Sequence, residues 1–244
     1  MTASLPVFGI RRSQRAKRAR LIVTDSGEAL VVLPARAPER LAAQLVAQHS
    51  GWIERHTNRI QAAQLALSRR PALGYGRELR LGGVAHELEL RDSRDGILRS
   101  RVQVERPADG AARLVVVRSP ADTRPVPAVL EGWLRSRARH VITTQVERRS
   151  AGMGITPTRL AVRDQRTRWG SASSRGALSF NWRLLLCPPI VLDYVVVHEL
   201  AHLRVRGHST AFWALVERHM RRADVVAARR WLREHQAELR RALD

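Results

Sequence analysis

The sequence predicts an α+β protein, with strands concentrated early in the chain and helices late. Three observations carry that expectation. Short strand-like runs, separated by Gly and Asp turns, recur through residues 18–118. A proline-rich stretch at 120–127, PADTRPVP, interrupts them. Beyond it, long segments show apolar residues at helical spacing.

Residues 18–34, RARLIVTDSGEALVVLP, read as two strands around a turn at Asp25, Ser26 and Gly27. The segment 11–20 has six basic residues in ten and runs unbroken into that strand, so it is expected to be an ordered strand edge, not a free arm. A helix is expected over 38–65, with Leu41, Leu45, Trp52 and Ile53 facing inward. Residues 69–73 read as a connector. RELRLGG, AHELELRD and ARLVVVRS supply further strands, and a helix follows over about 128–149. Next come TRLAVRD and RWGSASSRGALSFNW, then a helix opening near Pro189, then two more from near Ser209 and Ala223. No internal repeat or low-complexity segment is visible.

Composition narrows the function classes. At 44% hydrophobic residues, the 244-residue chain can bury a core. Basic residues outnumber acidic ones by 43 to 22, a formal net charge of +21, and every basic residue except Lys17 is arginine. Codon bias and an anionic partner both account for this, and charge alone does not choose between them. Cys187 is the lone cysteine, so an intramolecular disulfide is excluded. The N-terminus places apolar residues before basic ones, the reverse of a secretory signal. The longest apolar stretch, 184–197, is broken by Pro188, Pro189 and Asp193, too soon to span a membrane. A soluble, cytoplasmic protein without a membrane partner is the expectation.

The chemistry-bearing stretch is 195–209, VVVHELAHLRVRGHS. In a helix His198 and His202, four apart, share one face and can offer two imidazoles to one point. Glu199 lies about 100° further round and reaches such a point from the side, as a general base must. With nine histidines in the chain, His-Glu-x-x-His arises by chance in only about 2% of such compositions. The context argues further against chance. Pro189 suits a first helical turn. Leu192, Val196, Leu200 and Leu203 form a stripe that anchors the helix, and Val191, Tyr194 and Val195 keep the site dry. Gly207 can end the helix in a left-handed turn and send His208 back as a third ligand. Glu217 and His219 are its rivals for that place. Three protein ligands and one open position describe a catalytic zinc site, so one Zn2+ per chain is expected. The histidines at 49, 56, 86, 140, 219 and 235 have no such spacing.

Four stretches carry a family likeness: RWGSASS (168–174), LSFNWRLLLCPP (178–189), DYVVVHELAHL (193–203) and GHSTAFW (207–213). With weaker matches at RRSQRAKRARLIV and GYGRELRL, the chain resembles the YgjP-like (DUF45) metal-dependent hydrolases, relatives of the SprT-like zinc peptidases, over residues 11–238. The resemblance implies a β-rich accessory part, 1–122, and a zincin-like catalytic part of small sheet plus helices, 123–244. It also implies His198, His202 and His208 on zinc with Glu199 as base, and a strand edge that binds extended peptide. The segment GALSFNW is assigned to that edge. Arg168, Trp169, Asn181 and Trp182 are candidate cleft residues, with packing of strands on helix as their alternative role. Tyr194 is a candidate for oxyanion stabilisation. Ala172 stands where the family usually has Cys, so a thiol there is not needed for catalysis. The spacing also fits His-Glu-x-x-His-x-x-Gly-x-x-His, except that Val205 occupies the Gly place.

Three readings follow. The first is a zinc metallopeptidase acting on a peptide or protein. The second is a metal-dependent nucleoside triphosphate pyrophosphohydrolase, which the arginines suit but which lacks a P-loop. The third is a nucleic-acid-associated SprT-like protease, for which no helix-turn-helix, zinc-finger or RNP signature is present.

Overall fold

The computed structural model describes residues 6–24, 26–68, 76–108, 110–165 and 167–243. The expected connector at 69–73 and the turn residue Asp25 lie outside them. The chain divides into two compact units, residues 1–70 and 71–244.

The first unit holds strands β1 (Phe8–Ser13), β2 (Arg20–Val23) and β3 (Ala29–Pro34) in the order β1-β3-β2. β3 runs parallel to β1 and antiparallel to β2. The turn between β2 and β3 needs Gly27, whose φ of +87° suits a residue without Cβ. The basic segment is tied down at an edge strand. Arg12 donates to the carbonyls of Ala35 and Ala37, both at 2.9 Å, and pairs with Glu39. The single helix expected over 38–65 is two, α1 (Arg40–Gln48) and α2 (Ser50–Ser68). His49 separates them with φ −119°, outside helical geometry. Ala42, Val46 and Ile53 enter the core with Ala29, Val31 and Leu33, and Leu45 and Trp52 pack beside it. Leu41 is 39% exposed, against expectation, because the stripe that meets the sheet is Ala42 and Val46, one residue further round.

The second unit begins with a four-stranded sheet: β4 (Glu78–Leu81), β5 (Val84–Asp92), β6 (Arg101–Glu105) and β7 (Arg113–Arg118), in the order β4-β5-β7-β6. Helix α3 (Val126–Met153) follows the proline-rich break and stops at Gly154, a left-handed cap with φ +60°. A second sheet, β8 (Arg159–Arg163), β9 (Gly170–Ala172) and β10 (Ala177–Asn181), has the order β8-β10-β9. A 3₁₀ turn, Trp182–Leu186, leads into α4 (Pro189–His202), and α5 (Thr210–His219) and α6 (Arg222–Arg240) complete the unit. The observed architecture is the expected α+β, with small sheets and helices in the later part.

One continuous core joins both sheets of this unit to its helices. Leu79, Leu88, Leu114 and Val116 pack in the same cluster as Leu130, Leu134 and Ile142 of α3 and Val196, Val197 and Leu200 of α4. The turn between β4 and β5 is bonded to the lead-in of α4. Gly82 N–H donates to Leu185 O (2.8 Å) and Gly83 N–H to Leu186 O (3.2 Å). At Gly83, φ is +81° and a Cβ would lie 3.0 Å from Pro188. The expected stripe on α4 understates its burial: Val191, Leu192, Val195, Val196, Val197, Leu200 and Ala201 cover all sides. Its one buried acid outside the motif, Asp193, is bound by Gln145 and by Arg149, whose Nε donates at 2.6 Å.

Candidate metal centre

The last turn of α4 presents His198 and His202, and the chain then doubles back. Val205 N–H still bonds to Ala201 O at 2.9 Å. The helix proper stops at His202, and Gly207, expected to end it, instead makes a later turn with φ +80°. A Cβ at Gly207 would meet nothing within 4 Å, so its backbone angle, not crowding, favours glycine. Ser209 then caps α5 by accepting from Phe212 N–H, which fixes the level of His208.

Three nitrogens converge as a result. His198 Nε2 and His202 Nε2 are 3.1 Å apart, and His208 Nε2 is 3.2 Å from each. His202 Nδ1 donates to Val205 O (3.2 Å), so the neutral ring turns a lone pair toward the other two. His198 Nδ1 bonds to the Tyr194 hydroxyl at 3.3 Å. Phe212 stacks on His202 at 4.4 Å and Trp213 on His208 at 5.8 Å, holding the ring planes. Burial, reinforced by His202, His208 and Arg229, pushes the His198 pKa down to about 3, and burial also lowers that of His202. Neutral imidazoles aimed at one point could hold one metal ion. His198 and His202 are half-buried and His208 is exposed, so the group opens to one side.

Glu199 is only 7% exposed. Burial pushes its pKa up to about 7, with Arg168 opposing. It lies against the backbone of β9: a Cβ on Gly170 would fall 2.6 Å from its Cγ and 2.7 Å from its Oε1. Glycine at 170 is therefore what leaves room for the carboxylate.

Two clefts adjoin Glu199 and His198. One, of about 430 Å³, is lined by Arg168, Trp169, Tyr194, Arg229 and Arg233 among others. The other, of about 550 Å³, is lined by Ser171, Ala172, Ser173, Arg206 and His208 among others. β9 borders both.

The expected cleft residues separate accordingly. Arg168, Trp169 and Tyr194 line the first cleft. Asn181 does not: it is 3% exposed, and its side chain donates to Gln165 O and accepts from Arg183 N–H. Trp182 is wholly buried in the core. The segment GALSFNW is not an edge, because β10 is the central strand, parallel to β8 and antiparallel to β9. The free edge beside Glu199 belongs to β9. Among the described residues the ligand atoms that come together are those of His198, His202 and His208, and neither Glu217 nor His219 joins them. Sequence reasoning missed Gly170, whose role rests on a contact between distant segments. It also missed Arg229 and Arg233, which 42 arginines hide.

A YgjP-like family model, described as a YgjP-like metallopeptidase domain, matches residues 17–235. Among solved structures, the metallopeptidase zymogen of Pyrococcus abyssi abylysin is similar at 21% identity, over 39% of this chain and 95% of that one, with a TM-score of 0.36. No curated protein sequence shows a significant match.

Proposed function

The chain belongs to the YgjP-like metallopeptidase family, and from that premise we propose a zinc peptidase with His198, His202 and His208 as ligands and Glu199 as general base. The observation that carries the reading is the triangle of Nε2 atoms at 3.1–3.2 Å beside a buried glutamate. Tetrahedral zinc with Zn–N bonds of about 2.0–2.1 Å sets its nitrogens about 3.3–3.4 Å apart, close to this spacing. The all-imidazole donor set and the open side suit a catalytic zinc site, where structural sites are closed.

Zinc bound there would supply Lewis acidity for the attacking water and the scissile carbonyl. Glu199 accepts the water proton at its carboxylate and returns it to the leaving amine. Burial raises its carboxyl pKa, which strengthens it as a proton acceptor. Val205 O and the Tyr194 hydroxyl orient two of the imidazoles through Nδ1, and Gly170 leaves the space that Glu199 fills. Extended substrate would add to the free edge of β9, between the two clefts. In this reading residues 123–244 carry the chemistry and 1–122 are accessory. No helix among the described residues is long and apolar enough to cross a membrane.

The test is metal analysis of the purified protein together with a peptide-library digest, with and without chelator. One zinc per chain and chelator-sensitive cleavage are expected. A metal-free protein, or cleavage indifferent to chelator, would overturn the reading.

A further inference from the structure

Arginines are spread over the whole surface, so their number beside Glu199 signifies little. Their convergence is a different matter. Arg168, Arg229 and Arg233 line one concave space of about 430 Å³ whose only acid among the described residues is Glu199. Among the described residues, none of the three makes a side-chain hydrogen bond or ion pair. Elsewhere in the same unit several arginines are paired with acids: Arg91 with Glu105 at 2.8 Å, Arg118 with Asp92 at 2.7 Å and Arg124 with Asp122 at 2.6 Å.

The three guanidiniums are also placed by the fold. Positions 229 and 233 are four apart on α6, so both face the cleft from one side, while Arg168 approaches from the residue pair before β9. Arg229 lies over the Trp213 ring at 4.8 Å, and Trp213 stacks on His208. One planar fork is thus held in place next to the histidine triangle before any ligand arrives. Val195, Leu232 and Trp169 supply apolar wall. A chain entering this space covers Arg229 and Arg233, which have no ion-pair partner, whereas Arg168 already faces Glu199. A carboxylate supplies a counter-charge and matches the guanidinium fork in two-point hydrogen bonding.

We infer that this cleft is a specificity subsite for a substrate carboxylate, either an acidic side chain at a fixed offset from the scissile bond or the free C-terminus of the peptide. The inference rests on the peptidase reading and sharpens it to acidic or C-terminal substrates. Arg233 and Arg229 are the specificity residues, and Arg168 adds positive charge between the two clefts.

The experiment is a digest of a peptide library by the zinc-loaded protein, with cleavage positions mapped by mass spectrometry. Each peptide comes with a free or an amidated C-terminus, and one Glu is moved along an otherwise neutral sequence at constant net charge. Cleavage is expected to track the Glu at one offset, or the free C-terminus, with a preference of about tenfold over the Gln or amidated counterpart. Arg233→Gln and Arg229→Gln should each bring that ratio close to one. A ratio measured within one protein is insensitive to how much of a variant is folded, and Arg233→Lys should restore part of it. Cleavage without an offset, or equal benefit from Glu at every position, would mean general attraction to a cationic surface and overturn the subsite while leaving the peptidase intact. Inhibition by inorganic triphosphate without any acidic preference would assign the arginines to phosphate and overturn it too. Absence of peptide cleavage altogether would remove both readings.

Discussion

The two compact units bury their helices in different ways. In residues 1–70, α1 touches its sheet along a narrow stripe, Ala42 and Val46, and among the described residues the core cluster has six buried side chains. In residues 71–244, α4 is enclosed on every side by α3, α5, α6 and β9. A helix that touches along one stripe retains freedom to rock. A helix enclosed all round keeps its side chains to a few tenths of an ångström, because packed interiors deform little. His198, Glu199 and His202 sit on the enclosed helix and His208 on the exposed turn that follows it, and the comparison teaches that the geometry of the first three comes from enclosure.

The comparison breaks first at the ligands. His208→Ala leaves only two half-buried imidazoles, and metal and peptidase activity should both be almost wholly lost, read by metal analysis and turnover. Full metal occupancy in that variant would remove His208 from the site. Next is Glu199→Gln, which keeps the shape and all three ligands. Turnover should fall by roughly 10²–10⁴-fold with metal retained. The thermal midpoint should hold or rise, since a buried carboxyl becomes a neutral amide. Gly170→Ala puts a methyl where Glu199 lies. With Glu199 displaced, turnover should drop by about 10²-fold at unchanged metal content. Normal turnover would show that β9 yields instead.

Two stability measurements sharpen the contrast. Asp193→Ala strips Arg149 of its buried partner and should cost about 3 kcal/mol in chemical denaturation, read on the second unit. Val46→Ala in α1 should cost about 2 kcal/mol in the first unit, with metal content and affinity unchanged. A fall in metal affinity in that variant would show that the site depends on the smaller core.

The parts legible in the sequence are those with a local rule. His198, Glu199 and His202 follow from spacing along one helix, and His208 from a glycine that can turn the chain. Strand β5 follows from alternation of apolar and polar residues, and β2, β3 and β7 from short apolar runs bounded by turn residues. Three features had no local rule. β9 is Gly-Ser-Ala, three residues without strand propensity, so the more apolar β10 looked like the edge. Asn181 and Trp182 sit in a motif-like stretch, yet their side chains serve the core and the 3₁₀ turn. Arg229 and Arg233 differ from forty other arginines only in the space they face. Enclosure of α4 was read as a stripe because periodicity reports one face at a time.

The turn at Gly82 and Gly83 sets a limit on how this protein can be shortened. Its two N–H groups occupy the carbonyls of Leu185 and Leu186, immediately ahead of the helix that bears the histidines. The leucines of the flanking strands cover α3 in the same core. A gene encoding residues 123–244 alone would keep every proposed ligand and the proposed base, yet leave those carbonyls and that face of α3 bare. Proposed chemistry and foldability thus have different borders along the chain: the proposed ligands and base all lie after residue 122, while the packing that supports them begins before β4.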